Sequence, residues 1–241
     1  MSPPPFRSTV DRIISSVATL GIVDGLLYLV ARSIGRLSRN RCKLIKYQLV
    51  AQPIPKKPVT VPETQVGFRV FRIAAGDPLV AVFPRPTNVN QQRFAQGAQC
   101  FVACKQERFV GHIWISRGRY IEDEVRCVYV LDPPDLAVWD FDVYVEPAYR
   151  AGRAFARLWD GVNETLFREG FRWTLSRISA FNASSFRAHK RLGLVSLHSA
   201  LFLCIGGAQF SLLTCRPYVH VSWSPKQCPI VRLRVPQPAV A

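Results

Sequence analysis

One predicted strand–turn–helix junction contains the residue types of an anion-binding site. The apolar run Ala137–Val145 predicts a strand, and helical periodicity begins near Ala151 after a short turn. The start of this helix carries Arg150, Arg153 and Arg157, although cations there oppose the helix dipole. Free backbone N–H groups at a helix start bind anions, so a bound anion would account for the arginines. A solvated basic surface on this helix is the alternative.

A second stretch, residues 176–193, contains side chains suited to proton transfer and hydrogen bonding. Asn182 is predicted to cap a helix, and Ser185 and His189 are four residues apart, so they share one helix face. An unperturbed histidine has a pKa of about 6.5, which suits proton transfer near neutral pH. A histidine that serves only in core packing is the alternative interpretation.

Half of the acidic residues lie just before the arginine-lined turn. Eight of the sixteen Asp and Glu residues fall between positions 122 and 146, whereas positions 150–191 hold nine basic and three acidic residues. This asymmetry predicts that one end of a site attracts an anion and the other a cationic amine. Asp140 and Asp142 are predicted to share one strand face, and either could take a proton from the amine. Carboxylates on an exposed strand face are the alternative.

Together these stretches resemble the GNAT superfamily of acyl-CoA N-acyltransferases. The family signature V-x-P-x-x-[QR]-x-x-G-x-[GA] corresponds to Val145–Phe155, in one of two registers that differ in the places of Arg150 and Gly152. The family's later helix, N-x-x-A-x-x-x-Y-E-K-x-G-F, corresponds to residues 182–194. The resemblance covers about residues 66–215.

The resemblance implies an α/β fold of the α+β type, with a mixed, largely antiparallel sheet flanked by helices. In this fold two neighbouring strands splay apart, pantetheine inserts between them, and backbone N–H groups of the turn hold the CoA pyrophosphate. His189 takes the place of the family's usual tyrosine, which protonates the departing thiolate. The CoA-binding residues implied are Val145, Arg150, Ala151, Gly152, Arg153, Ala154, Phe155, Asn182 and Ser185.

The expected function is transfer of an acetyl or other acyl group from acyl-CoA to a primary amine by direct attack in a ternary complex. A small amine or an amino sugar is the expected acceptor, with a protein amine as an alternative. The competing interpretation is a GNAT-like domain that binds CoA or a partner without turnover. No metal is expected, because the seven cysteines and four histidines show no ligand spacing. No specific nucleic acid is expected, because only the net charge of +16 favours one.

The composition and the hydrophobic pattern indicate a globular chain. Its 49% hydrophobic and 20% charged residues exclude a disordered or collagen-like protein. Apolar periodicity then predicts the elements that position the candidate residues. The predicted strands are 66–73, 99–105, 109–116, 125–131, 137–145, 172–180, 197–205 and 209–215, and the predicted helices are 86–97, 151–169 and 182–192.

The chain is predicted to divide into an apolar and basic helical segment at 1–50, a proline-rich linker at 51–63 and a GNAT-like domain at 64–241. Residues 13–46 join an apolar run to six basic residues, so three placements stay open: packed on the domain or in a dimer contact, lying on an anionic membrane, or spanning one. Seven cysteines without a CxxC pair indicate a reducing, cytoplasmic setting, with attachment to the inner membrane face as an alternative.

Overall fold

The computed structural model describes residues 17–60 and 67–236, and the expectations for residues 1–16, 61–66 and 237–241 lie outside this part of the chain. The helices are α1 (Ile22–Leu37), α2 (Thr87–Ala95), α3 (Ala154–Arg168) and α4 (Ala183–Lys190), with 3-10 helices at Pro78–Val82 and Pro147–Tyr149. The strands are β1 (Cys42–Pro53), β2 (Phe68–Ile73), β3 (Gln99–Lys105), β4 (Arg108–Arg117), β5 (Arg119–Ile121), β6 (Val128–Asp132), β7 (Ala137–Val145), β8 (Trp173–Ser179), β9 (Val195–Ile205), β10 (Ala208–Leu213), β11 (Val219–Ser222) and β12 (Ile230–Arg234).

Nine of these strands form one sheet in the order β11-β10-β9-β1-β8-β7-β4-β3-β2. Neighbouring strands run antiparallel except β7 and β8, which are parallel. A three-stranded sheet, β12-β6-β5, shares a hydrophobic core with one face of the large sheet. The predicted class, a mixed and largely antiparallel α/β fold flanked by helices, is confirmed.

The N-terminal part of the chain enters the centre of the large sheet, which differs from the expected helical segment and linker. Cys42–Pro53 forms β1, which pairs with β8 on one side and with β9 on the other. Its odd-numbered residues Tyr47 and Leu49 are fully buried in the core shared with the small sheet. The strand crosses the boundary expected at residue 50. Lysines and prolines at its two ends hide its alternation in the sequence, and only pairing with distant strands reveals it.

Helix α3 presents the apolar stripe that the sequence predicts to one face of the sheet. The buried stripe consists of Leu158, Trp159, Val162 and Leu166. A side chain at Gly161 would place its Cβ 2.4 Å from Val70 Cβ, so the glycine allows α3 to lie directly on β2. This close packing positions α3 against the part of the sheet that contains β2.

Helix α1 packs along β1. Lys46 Nζ lies 2.6 Å from Asp24 Oδ1, and the ring of Tyr28 contacts that of Phe181, with centroids 5.6 Å apart. Within residues 17–60 and 67–236, every helix is too short or too polar to cross a bilayer.

Candidate active site

The strands β7 and β8 separate partway along their length. They are paired only from Ala137 to Trp139 on β7, although both strands continue beyond that point. There β7 stays paired with β4 and β8 with β1, so each strand follows a different neighbour. The result is a V-shaped opening that begins at Asp140 and Ser176. Because the two strands are parallel, the turn before α3 and the start of α4 both flank its open end.

Asp140 is the first residue of β7 beyond the paired region, and it is almost completely buried. Burial raises the pKa of its carboxyl to about 7, while the hydroxyls of Thr174 and Ser176 on β8 limit the rise. A carboxyl with this pKa is partly ionised near neutral pH, so it can both accept and release a proton. Sequence analysis did not single out Thr174 and Ser176; their only signal is the alternation of hydroxyl groups along a predicted strand.

Asp142 faces a different environment, although it lies only two residues further along β7. Its φ is +47° where a β-bulge shifts the pairing with β4 after His112. Asp142 Oδ2 lies 3.2 Å from Arg85 Nε and 2.5 Å from Arg93 Nη1. Burial alone would raise the pKa of Asp142, but its contacts with His112, Arg93 and Arg85 hold that pKa well below the usual range. The expectation that both carboxylates share one face is therefore wrong, because the bulge breaks the alternation.

The turn that leads into α3 exposes backbone donors at the open end of the V. The helix begins at Ala154, three residues later than predicted, with Arg153 at the N-cap position. The Arg153 side chain does not cap the helix, and first-turn N–H groups have no partner within a helix. Ala151, Gly152 and Arg153 are exposed, so an anion can approach the positive end of the helix dipole from this turn, although Ala154 is buried and the Gly152 N–H already donates to the Tyr149 carbonyl oxygen.

Two of the three arginines at this helix start are held by the protein itself. Arg150 Nε donates a hydrogen bond to the carbonyl oxygen of Val145 over 2.7 Å, and its guanidinium lies over the ring of Tyr144. Arg157 turns away to the ring of Phe68, 5.6 Å from the ring centroid. A ligand that needs the Val145 carbonyl must therefore displace the Arg150 side chain.

His189 lies in the core beneath α3 rather than on an accessible surface. Its ring is buried edge-on between Phe155 and Trp159, with centroid distances of 5.2 and 5.6 Å. Its Nδ1 lies 2.9 Å from Gln52 Oε1 on β1, an arrangement in which Nδ1 carries the proton and donates it. Burial lowers the pKa of His189 to about 4, so the ring is neutral near pH 7. This environment argues against the expected role of a protonated His189 as the acid.

The predicted cap of α4 is present at Asn182. Its Oδ1 accepts hydrogen bonds from the Ser185 N–H at 3.1 Å and from the Ser184 hydroxyl at 2.8 Å. The side-chain amide oxygen of Asn182 therefore already accepts hydrogen bonds from residues at the start of α4. The α4 cap lies beside the open end of the V, and the expected contacts of Asn182 and Ser185 with pantetheine stay a prediction.

The acidic region before the turn is paired internally. Arg177 donates to both carboxylate oxygens of buried Glu122 over 2.9 and 2.6 Å. Arg93 is nearly buried and joins Asp142 to Asp123, and its guanidinium lies over the ring of Phe141. These contacts neutralise much of the negative charge expected to attract an amine. Arg93, which sequence analysis missed, carries no signal beyond being a basic residue in a predicted helix.

A cavity of about 220 Å³ adjoins this paired region. Phe141 contributes to its wall, and that residue follows Asp140 directly on β7 and packs in the cores of the sheet face opposite α3. The cavity lining also includes Tyr120, Asp123, Arg93 and Arg119. In the described part of the chain, no group of three or more His, Cys, Asp or Glu side chains is arranged to hold a metal ion.

Comparison with known proteins gives likeness at the level of fold only. No protein-family model matches the chain, and no curated protein matches it either. A functionally unknown conserved protein from Staphylococcus epidermidis is 12% identical, with a TM-score of 0.45, over 69% of this chain and 63% of its own. A tandem GNAT protein from the clavulanic acid biosynthesis pathway is 10% identical, with a TM-score of 0.45, over 71% and 57%. An aminoglycoside N-acetyltransferase in complex with CoA is 18% identical, with a TM-score of 0.37, over 52% and 86%.

The chain thus spans 63% and 57% of the lengths of the first two structures. The fold itself is GNAT-like, as the two motifs predict: a parallel pair of strands opens inside an otherwise antiparallel sheet, and a helix starts at the open end. The activity, the substrates and the partners of the protein are matters for proposal.

Proposed function

We propose that the protein transfers an acyl group from acyl-CoA to a primary amine at the opening between β7 and β8. The observation that carries this proposal is the state of Asp140. Its buried carboxyl, with a pKa of about 7, lies where the two strands first separate. A general base is most effective when its pKa lies near the working pH. Perturbed carboxyls of this kind are concentrated at functional sites.

The residues around the opening fit acyl-CoA as the donor. The exposed turn at 151–153 and the free N–H groups of the first turn of α3 would hold a diphosphate, with the Arg153 charge beside them. The unpaired edges of β7 and β8 would receive the pantetheine arm. When bound, acyl-CoA supplies an activated thioester carbonyl and a thiolate leaving group.

The proton that the amine loses goes to Asp140 in this proposal. The amine nitrogen bonds to the carbonyl carbon, the carbon–sulfur bond breaks, and the ionised carboxyl of Asp140 accepts the proton of the amine. The departing thiolate takes up a proton from water. The acceptor in this proposal is a small amine or an amino sugar that reaches the thioester through the opening between β7 and β8. All seven cysteines lie in the described part of the chain as free thiols, which supports a reducing, cytoplasmic setting.

Two observations favour a second candidate function, the binding of CoA or a partner without turnover. The hydrogen bond from Arg150 occupies the Val145 carbonyl at the open end of the V. His189 stands where the family's acid is expected, but it is buried and neutral. Both features oppose catalysis more than they oppose binding of an anion at the turn.

Thiol release separates the two candidates. The full chain should release free thiol from acetyl-CoA in the presence of small amines or amino sugars, and Asp140→Asn should slow release at least about 100-fold while CoA still binds by calorimetry. The control is Asp135→Asn, which alters an exposed carboxylate in the turn before β7. CoA binding without thiol release by any amine would favour the binding function. Absence of both would contradict both candidates.

A further inference from the structure

Helix α1 turns an apolar stripe toward solvent. Successive residues of an α-helix are about 100° apart, and five large apolar residues of α1 fall within an arc of about 100°. All five are well exposed, between 47% and 88%. They are Ile22, Val23, Leu26, Val30 and Leu37, here called the outer stripe. A helix at the surface of a globular protein normally buries such a stripe and exposes its polar residues.

The opposite side of α1 is already occupied by the sheet. Asp24 points to β1, where Lys46 neutralises it at 2.6 Å, and Tyr28 contacts Phe181 before α4. Because this ion pair and this ring contact fix the orientation of the helix, the outer stripe cannot rotate into the core. Among residues 17–60 and 67–236, the apolar side of α1 therefore faces away from the sheet.

Basic residues flank the C-terminal end of the outer stripe. Between residues 17 and 60 the chain holds eight basic residues and one acid, Asp24, which is paired. Three of the basic side chains are exposed at the C-terminal end of α1 and in the turn that follows it. They are Arg36, Arg39 and Arg41, here called the basic flank. Arg32 donates a hydrogen bond to the Tyr28 hydroxyl on the sheet side of the helix, and Lys43 lies on the face of β1 opposite Lys46. Long cationic side chains beside an apolar stripe reach the headgroup level when the stripe enters a bilayer.

The basic flank distinguishes between two occupants of the outer stripe. In a symmetric dimer the partner's copy of this surface would offer the basic flank no free acid, because Asp24 is already paired with Lys46. An anionic lipid surface offers apolar chains to the stripe and negative headgroups to the flank. We propose that α1 docks the protein on a membrane surface rich in anionic lipids. This inference does not depend on the chemistry of the opening between β7 and β8.

Vesicle flotation of the full chain tests this docking surface. Binding to vesicles of phosphatidylcholine mixed with phosphatidylserine should exceed binding to phosphatidylcholine alone by at least tenfold, and it should weaken as salt is raised. Leu26→Ser with Val30→Ser should reduce binding by at least tenfold. Arg36→Gln with Arg39→Gln should reduce it by about 10- to 30-fold, because each basic residue near an anionic surface contributes about 1 kcal/mol.

The matched control is Val219→Ser with Val221→Ser, which alters exposed apolar residues on β11 and should leave binding unchanged. All of these side chains are exposed, so thermal unfolding should confirm that each variant stays folded. Equal binding to neutral and anionic vesicles, or no binding to either, would overturn the proposal. Light scattering that shows a dimer which Leu26→Ser with Val30→Ser dissociates would assign the stripe to a second copy instead.

Discussion

Asp140 and Asp142 are two carboxylates on the same strand that have opposite electrostatic surroundings. Asp140 faces the hydroxyls of β8 without a cation, and burial raises its pKa to about 7. Asp142 contacts Arg85 and Arg93, which hold its pKa well below the usual range. One side of the strand therefore holds a group that can exchange a proton near neutral pH, and the other holds a fixed ion pair. The difference shows that neighbouring backbone geometry, rather than residue type, decides which carboxylate can do chemistry here.

The largest expected effect is the loss of turnover when Asp140 cannot accept a proton. If the proposed function is correct, Asp140→Asn should lower kcat for thiol release by about 10²- to 10⁴-fold, the usual contribution of a general base. CoA affinity should change little, because the amide keeps the size of the side chain. Turnover by Asp140→Asn within threefold of the unsubstituted protein would remove Asp140 from the mechanism.

A loss of stability is expected on the other side of the strand. Asp142→Asn leaves the nearly buried Arg93 without its main partner, and breaking a buried ion pair costs about 3–5 kcal/mol, with the lower end applying where one partner is partly exposed. Urea unfolding should measure this decrease in the free energy of unfolding. Asp135→Asn, an exposed carboxylate, serves as the control and should change it by less than about 0.5 kcal/mol. Equal stability of the two variants would show that the contact of Asp142 with Arg93 is not important for the fold.

The two carboxylates should also give opposite dependences of stability on pH. The folded pKa of Asp140 is raised, so between about pH 4 and 7 the unfolded chain loses this proton first and stability falls as pH rises. From pH 5 to 7 this amounts to about 2–3 kcal/mol for a single group. The pKa of Asp142 is lowered, so its contribution is present at neutral pH and is lost as pH falls below about 4.

Urea midpoints of the unsubstituted protein and of Asp140→Asn at pH 5 and pH 7 isolate the contribution of Asp140. The asparagine variant should lack the decrease in stability between the two pH values and should be the more stable protein at pH 7. A decrease that persists unchanged in the variant would mean that another group titrates in this range.

Local patterns were sufficient to predict most of the fold but not the inner strand β1. The strands 99–105 and 137–145 occur where the apolar runs place them, and Asn182 caps α4 as its residue type indicates. β1 was missed because a strand that is separated by more than 100 residues from both of its partners has no local signature beyond alternation. Pairing over this distance is a property of the folded chain.

The candidate site was predictable only in part, for a related reason. The anion-binding turn follows from the positions of a strand, a turn and a helix, all of which are local features. The separation of Asp140 from Asp142 follows from a bulge that depends on pairing with β4, and a strand pattern of period two cannot show it. The burial of His189 depends on α3 and β1, which its own helix does not specify.

The smallest expected effect concerns His189, whose imidazole is the alternative to Asp140 as the group that titrates near pH 7. If the proposed function is correct, His189→Gln should lower thiol release by less than about tenfold, because a neutral ring that is hydrogen-bonded to Gln52 does not readily donate a proton.

The dependence of the rate on pH distinguishes Asp140 from His189 as the group that titrates. In the unsubstituted protein the rate should rise with pH through about 7 as Asp140 ionises. That rise should be unchanged in His189→Gln, because the pKa of His189, at about 4, lies well below the range. A rise that moves or disappears in His189→Gln would assign the titration to the imidazole and would remove the contrast between the two sides of β7.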